Sequence, residues 1–304
     1  MAHTINSHRL LPILVLIVAS ATKSAAAGDP PEVTYRTHAN EVRLTFSASD
    51  QSDRGVATLQ ASDFAVVDKE LIVRNFQSFH RSDTTKLEIA IVLDGSGSLA
   101  PNFRRETSDL IEIFSQTMGV PEENLSLFLV GSKPQLLCAA NCRTSHAVEH
   151  LATPRAGEMT PLFDTIIYAS HYLSQHADHN AQKVLILLSD GDDTMSLHSF
   201  RNAVDSALEG AVQIYSVDLN AASSTRGSLV LARLAAATGG RCFSGRDASS
   251  QAMKGILSDF QASYVITYKL PSNETGFHDL HILPTQNSNL QFRCRSGYYY
   301  ADNN

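Results

Sequence analysis

The chain of 304 residues predicts an α/β fold: a doubly wound, mostly parallel, Rossmann-like sheet inserted in a small all-β domain built from both ends of the chain. Three observations lead there. Between residues 86 and 262, apolar runs alternate with stretches of helical period, the pattern of strands joined by crossover helices. The runs "IAIVL" and "VLILL" are apolar at every position, as strands covered on both faces must be. The flanks instead alternate polar and apolar residues between turn clusters and show no helical period.

The elements follow in order. Arg9, the ten apolar residues "LLPILVLIVA" and the small-residue stretch "SATKSAAAG" form a basic start, a short greasy middle and an A-x-A end. Together they predict a signal peptide over 1–27 and a secreted or periplasmic, cell-envelope location. The greasy run is shorter than the ~18 residues a spanning helix needs, so no transmembrane helix is expected in the mature chain. Residues 28–85 read as an N-terminal β segment: "EVTYRTHANEVRLTFSAS" alternates, "DQSDRG" turns, and "DFAVVDKELIVRNFQSF" carries two more strand-like runs.

The inserted domain, 86–262, opens with the strand "KLEIAIVLD" and a helix over "NFRRETSDLIEIFSQTMG". "NLSLFLVGS" is a strand, "PLFDTIIYASHYLSQHA" a helix, "KVLILLSDG" a strand and "SFRNAVDSALEG" a helix. "VQIYSVDL" is a strand, "SLVLARLAAATGG" a helix stopped by glycines, "RCFSG" a short strand and "SSQAMKGILSDFQ" the last helix. Residues 263–304 return to strands with "SYVITYKL", "FHDLHILP" and "LQFRCRSGYYY", which lack partners among themselves and are expected to pair with 28–85.

Composition narrows the function. An apolar fraction of 43% with 18% charged residues describes a folded chain, and a net charge of −7 offers no basic surface for nucleic acid. The four cysteines, Cys138, Cys142, Cys242 and Cys294, allow three pairings in an oxidising compartment. The expected ones are a local Cys138–Cys142 bridge around "CAANC" and a Cys242–Cys294 bridge tying the inserted domain to the returning tail.

Polar residues collect where an open α/β sheet binds its ligands, beyond the carboxyl ends of the strands. The first strand ends on Asp94, followed by Ser96 and Ser98; the third ends on Asp190; and "GEMTPLFD" sets Thr160 at a helix start. Two carboxylates and three hydroxyls, without imidazole or thiolate, suit one hard divalent cation: Mg²⁺ first, with Mn²⁺ or Ca²⁺ as alternatives. Gly95 and Gly97 let the loop fold tightly enough for both serines to face one point.

This constellation resembles the metal-ion-dependent adhesion site of the von Willebrand factor type A domain. D-x-S-x-S at Asp94, Ser96 and Ser98, a lone Thr160 before a helix, and S-D-G at Asp190 match it residue by residue over about 86–262. The flanks, "LQASDFAVVDKELIVRNFQSF" and "RCRSGYYY", are similar to a secreted bacterial variant of that family, in which β segments bracket the domain. The resemblance implies a non-catalytic, adhesion-type module whose serines and threonine touch the metal while the acids often act through water. The metal would then capture an Asp or Glu carboxylate of a protein partner. Asp192, Asp193 and Asp218 read as loop acids, Asp192 with a place behind the ligands. The alternative is phosphoryl transfer: "LLSDGDDT" holds D-x-D-x-T at Asp190, Asp192 and Thr194, resembling the start of haloacid-dehalogenase phosphatases, but it leaves "DGSGS" unexplained. A serine hydrolase elbow fails at its first position, because Ser96 follows D-G rather than G-x.

Overall fold

The computed structural model describes residues 41–82, 85–95, 120–139, 160–219, 225–245 and 248–301. The expected signal peptide, the first helix of the inserted domain, Ser96, Ser98 and Cys142 therefore lie outside the described residues.

Among the described residues, four strands come before the inserted domain: β1 (Glu41–Ser49), β2 (Phe64–Asp68), β3 (Leu71–Val73) and β4 (Ser78–Arg81). β2 and β3 form a hairpin closed by Lys69 and Glu70, both at positive φ (47° and 68°), as a two-residue turn matching strand twist requires.

The central sheet holds β5 (Leu87–Asp94), β6 (Leu125–Val130), β7 (Pro134–Ala139), β8 (Gln182–Ser189), β9 (Val212–Asp218) and β10 (Cys242–Phe243). Their order is β10-β9-β8-β5-β6-β7, parallel throughout except for β7, which runs antiparallel to β6. Around them lie α1 (Leu162–His176), α2 (Phe200–Glu209), α3 (Arg226–Thr238) and α4 (Ala248–Gln261). Alternation along β5 divides the core: Ile89, Ile91 and Leu93 pack toward α4, Ala90 and Val92 toward α1, α2 and α3. With both faces covered, every residue from Val184 to Leu188 is at most 1% exposed, each apolar side chain contributing about 1.5–3 kcal/mol. Ser199 and Thr225 cap α2 and α3 by accepting the Asn202 and Ser228 N–H groups. The glycines of "TGG" stop α3 because Gly239 takes φ 81°, a left-handed conformation.

Four strands follow: β11 (Ser263–Lys269), β12 (Gly276–Pro284), β13 (Gln291–Cys294) and β14 (Gly297–Tyr300). Both chain ends build two antiparallel sheets, β13-β1-β11-β4 and β14-β12-β2-β3, that share one core of Val42, Leu44, Phe46, Phe64, Val66, Ile266 and Leu280. The run "LQFRCRSGYYY", one strand by its sequence, is two: β13 pairs with β1, and two residues later β14 pairs with β12 in the other sheet. Across the sandwich, Tyr268 of one sheet and Tyr298 of the other donate to Asp68 Oδ2, both at 2.8 Å, and His278 Nδ1 lies 3.0 Å from Asp68 Oδ1.

The cysteines correct one expectation. Cys138, on β7, is disulfide-bonded. Cys242 and Cys294 are free thiols, and the expected bridge between them does not form. Cys242 packs into the core under α1–α3, whereas Cys294 packs into the sandwich core. The sulfurs point into different interiors, and burial pushes each thiol up to about 11.

Candidate metal centre

The site begins with the register of the sheet. Leu93 of β5 pairs with Leu188 of β8, so Asp94 arrives beside Ser189. Both are 0% exposed, because β5 is central and covered on two faces. The Ser189 hydroxyl donates to Asp94 Oδ2 at 2.5 Å and accepts the Gly191 N–H at 2.9 Å. One buried hydroxyl thus orients the first acid and starts the turn that carries the second. The Gly95 N–H donates to the Val130 carbonyl at 3.0 Å, and a β-carbon there would lie 2.9 Å from that oxygen. Glycine is required where the chain leaves β5 along the end of β6.

Asp190 follows β8, its Oδ1 accepting the Asp192 N–H at 3.1 Å. Gly191 adopts φ 80°, and a β-carbon on it would collide with the Gly227 carbonyl; one on Gly227 would collide with the Asp190 carbonyl. The Asp190 turn and the first turn of α3 thus meet backbone to backbone, a contact that only a glycine pair permits.

Thr160 is 5% exposed and is fastened to the same loop. Its N–H donates to Thr194 Oγ1 at 2.6 Å, and its carbonyl accepts the Thr194 N–H at 3.0 Å. The open N–H groups of α1 are met from this loop too: Phe163 donates to Asp193 Oδ1 at 3.3 Å and Asp164 to Ser196 Oγ at 3.1 Å. In return, the Asp164 carboxylate accepts the N–H groups of Leu197 (2.9 Å) and His198 (3.0 Å), with His198 Nδ1 at 2.8 Å. Burial raises the Asp164 carboxyl, but those hydrogen bonds outweigh it and hold the group below its usual range.

Three of the five expected ligands, Asp94, Thr160 and Asp190, therefore stand on one hydrogen-bonded framework at the carboxyl ends of β5 and β8. Ser96 and Ser98 lie outside the described residues. Asp192 is exposed, and its backbone N–H donates to Asp190 Oδ1. Asp193 is an anchor of α1 rather than a bare loop acid, and Asp218 ends β9 at 2% exposure, in register with Ser189. Among the described residues no group of three or more His, Cys, Asp or Glu side chains could hold a metal ion. The donors present on the framework, two carboxylates and the Thr160 hydroxyl, are all oxygen, and oxygen donors suit a hard cation. Within the D-x-D-x-T stretch, the Thr194 hydroxyl accepts the Thr160 N–H and Asp190 Oδ1 accepts the Asp192 N–H.

Ser189, Thr194 and Gly227 escape sequence reasoning. Ser189 carried a signal, a hydroxyl ending an otherwise apolar strand beside Asp190. Thr194 stood out only as the threonine of D-x-D-x-T and Gly227 carried no signal, because their partners are 34 and 36 positions away.

Fold and strand-top site define the class: an open, doubly wound α/β domain with its polar site at the carboxyl ends of parallel strands. Within that class the von Willebrand factor type A domain model matches residues 88–259, more than half of the chain. The chain belongs to that family. Comparison with curated proteins gives no match. Similar solved structures include the conserved hypothetical protein BatB from Bacteroides thetaiotaomicron, 15% identical over 56% of this chain and 97% of that one, TM-score 0.43. A second is proximal thread matrix protein 1 from the mussel byssus, described with a zinc-occupied MIDAS motif, 14% identical over 59% of this chain and 48% of that one, TM-score 0.42. A third is the manganese-loaded TRAP protein of Plasmodium vivax, 16% identical over 78% of this chain and 99% of that one, TM-score 0.43. Among the described residues no helix is long and apolar enough to cross a membrane.

Proposed function

We propose that this chain is a secreted, non-catalytic, metal-dependent binding module. Asp94, Ser96, Ser98, Thr160 and Asp190 would hold one divalent cation, Mg²⁺ in preference to Mn²⁺ or Ca²⁺. The observation that carries the reading is the shared framework: the loop from Asp190 to His198 anchors Thr160, while Ser189 couples the Asp190 turn to Asp94. When bound, the ion supplies an electrophilic position that takes the carboxylate of a partner protein's Asp or Glu. The chain's own groups set how strongly. Two acids roughly neutralise the ion and the hydroxyls add dipoles without charge, so attraction for an outside anion is preserved. Leu197, 92% exposed on the loop that anchors Thr160, would offer the partner an apolar contact. The export signal in 1–27 and a Cys138–Cys142 bridge belong to the same proposal.

Calorimetric titration of the exported protein with Mg²⁺ and Mn²⁺ tests it. One saturable site is expected, weakened at least tenfold by Thr160→Ala and abolished by Asp190→Ala, with Asp192→Ala close to wild type. A wild-type protein that binds neither ion would overturn the proposal.

A further inference from the structure

At the other end of the sheet, under the amino ends of β8 and β9, lies a cavity of about 900 Å³ between the inserted domain and the sandwich. Its volume falls in the range of small-molecule sites, which favour such junctions. Three cations line it: Arg43 of β1, Lys183 of β8 and Arg295 in the connection between β13 and β14. None forms an ion pair with a carboxylate among the described residues. Arg43 donates to the Asn180 carbonyl at 3.2 Å, Lys183 to the Gly210 carbonyl at 3.0 Å and Arg295 Nη2 to the Arg43 carbonyl at 3.1 Å. Arg295 Nε is buried without a hydrogen-bond partner.

Bringing three cations to one cavity is costly unless an opposite charge joins them. A buried cation calls for an opposite charge, and neutral carbonyls satisfy only part of the demand. Burial lowers all three groups, and Lys183 is lowered further by Arg295. Of the carboxylates nearby, Glu41 acts on Arg43 through space, Glu209 lines the cavity without an ion pair to any of the three cations among the described residues, and Asp68 is spent on Tyr268, Tyr298 and His278. The wall also offers amides and aromatics, among them Gln182 and Gln213, hydrogen-bonded to each other at 3.1 Å, and Tyr298, whose ring lies 5.4 Å from the Arg295 guanidinium.

We infer that this cavity is a binding site for a small oxyanion, a phosphate- or carboxylate-bearing molecule held by Arg43, Lys183 and Arg295. The planar guanidinium forks match both anions, and the lysine adds a point charge. From Lys183 to Asp190 is seven strand residues, about 23 Å at about 3.3 Å each, so the site is separate from the metal centre. Its occupant bridges the two lobes and stabilises their junction.

Inorganic phosphate and succinate, titrated separately into the full chain, provide the test. The buffer is metal-stripped and its ionic strength is fixed with chloride, so that no anion registers through a metal. A saturable rise in the unfolding midpoint with either anion is expected, and the stronger arm names the anion. Lys183→Gln and Arg43→Gln should each weaken binding at least tenfold while leaving circular dichroism and Mg²⁺ affinity unchanged. No saturation with either anion overturns the inference, as does undiminished binding by the Lys183→Gln/Arg43→Gln double variant.

Discussion

Replacing Ser189 by alanine removes one oxygen and two hydrogen bonds from the middle of the site. The first is donated to the buried Asp94 carboxylate at 2.5 Å; a bond to a charged group is worth about 1.5–3 kcal/mol. The second is accepted from the Gly191 N–H at 2.9 Å, a neutral bond worth about 0.5–1.5 kcal/mol. Water cannot replace either, since Ser189 and Asp94 are both 0% exposed. The sum is a loss of about 2–4 kcal/mol, or a fall in Tm of about 5–15 °C for a domain of this size. Urea unfolding of the metal-free protein gives the number, provided the slopes of variant and wild type agree. Ser206→Ala is the control: that hydroxyl is 5% exposed and buried without a hydrogen-bond partner, so its loss should cost less than about 0.5 kcal/mol. If the two variants are equally stable, the reasoning that Ser189 orients Asp94 is wrong.

Three further outcomes follow. Gly191→Ala should destabilise by more than 2 kcal/mol, a rough sum of left-handed strain and the collision with Gly227, and should weaken Mg²⁺ binding with it; urea unfolding and calorimetry read the two effects. In thiol labelling of the unfolded, unreduced chain two cysteines, Cys242 and Cys294, should react, and in the native protein both should react slowly at pH 8 because burial holds them near 11. Four reactive thiols would remove the disulfide at Cys138; none would restore the Cys242–Cys294 bridge. Asp164 has a depressed carboxyl, so its contribution to stability is present above the usual carboxylate range and is lost as pH falls through its folded value. The stability gap between wild type and Asp164→Asn should therefore be widest near neutral pH and shrink below about pH 4; a gap constant with pH would contradict this.

Much of the fold was legible because its signals are local. Runs such as "VLILL" can only be strands covered on both faces, and the helices over 162–176, 200–209, 226–238 and 248–261 follow from period, caps and glycine stops. What the sequence hid depends on distant partners. β7, opened by Pro134 and lying at the sheet edge, has neither alternation nor a full apolar run and becomes a strand only through its pairing with β6. The crossing at Arg295 and Ser296 is invisible because both halves of "LQFRCRSGYYY" are good strands, and only the partners β1 and β12 separate them. The Cys242–Cys294 bridge failed for the same reason: spacing cannot tell which core a sulfur enters. At the site, residue types and their order singled out Asp94, Thr160 and Asp190 as candidates, whereas the hydrogen bonds of Ser189 and the contact of Gly191 with Gly227 depend on partners that only the folded chain brings together.

Water-proton relaxation by bound Mn²⁺ tests the central claim most directly, since it reports both the ion and the open position on it. Added Mn²⁺ should enhance relaxation through water left on the metal, and acetate or an Asp-containing peptide should then reduce that enhancement by displacing the water. The Asp94→Ala/Asp190→Ala double variant should show neither effect. Wild-type protein without enhancement, or a double variant indistinguishable from it, would contradict a metal-dependent carboxylate site at the top of this sheet.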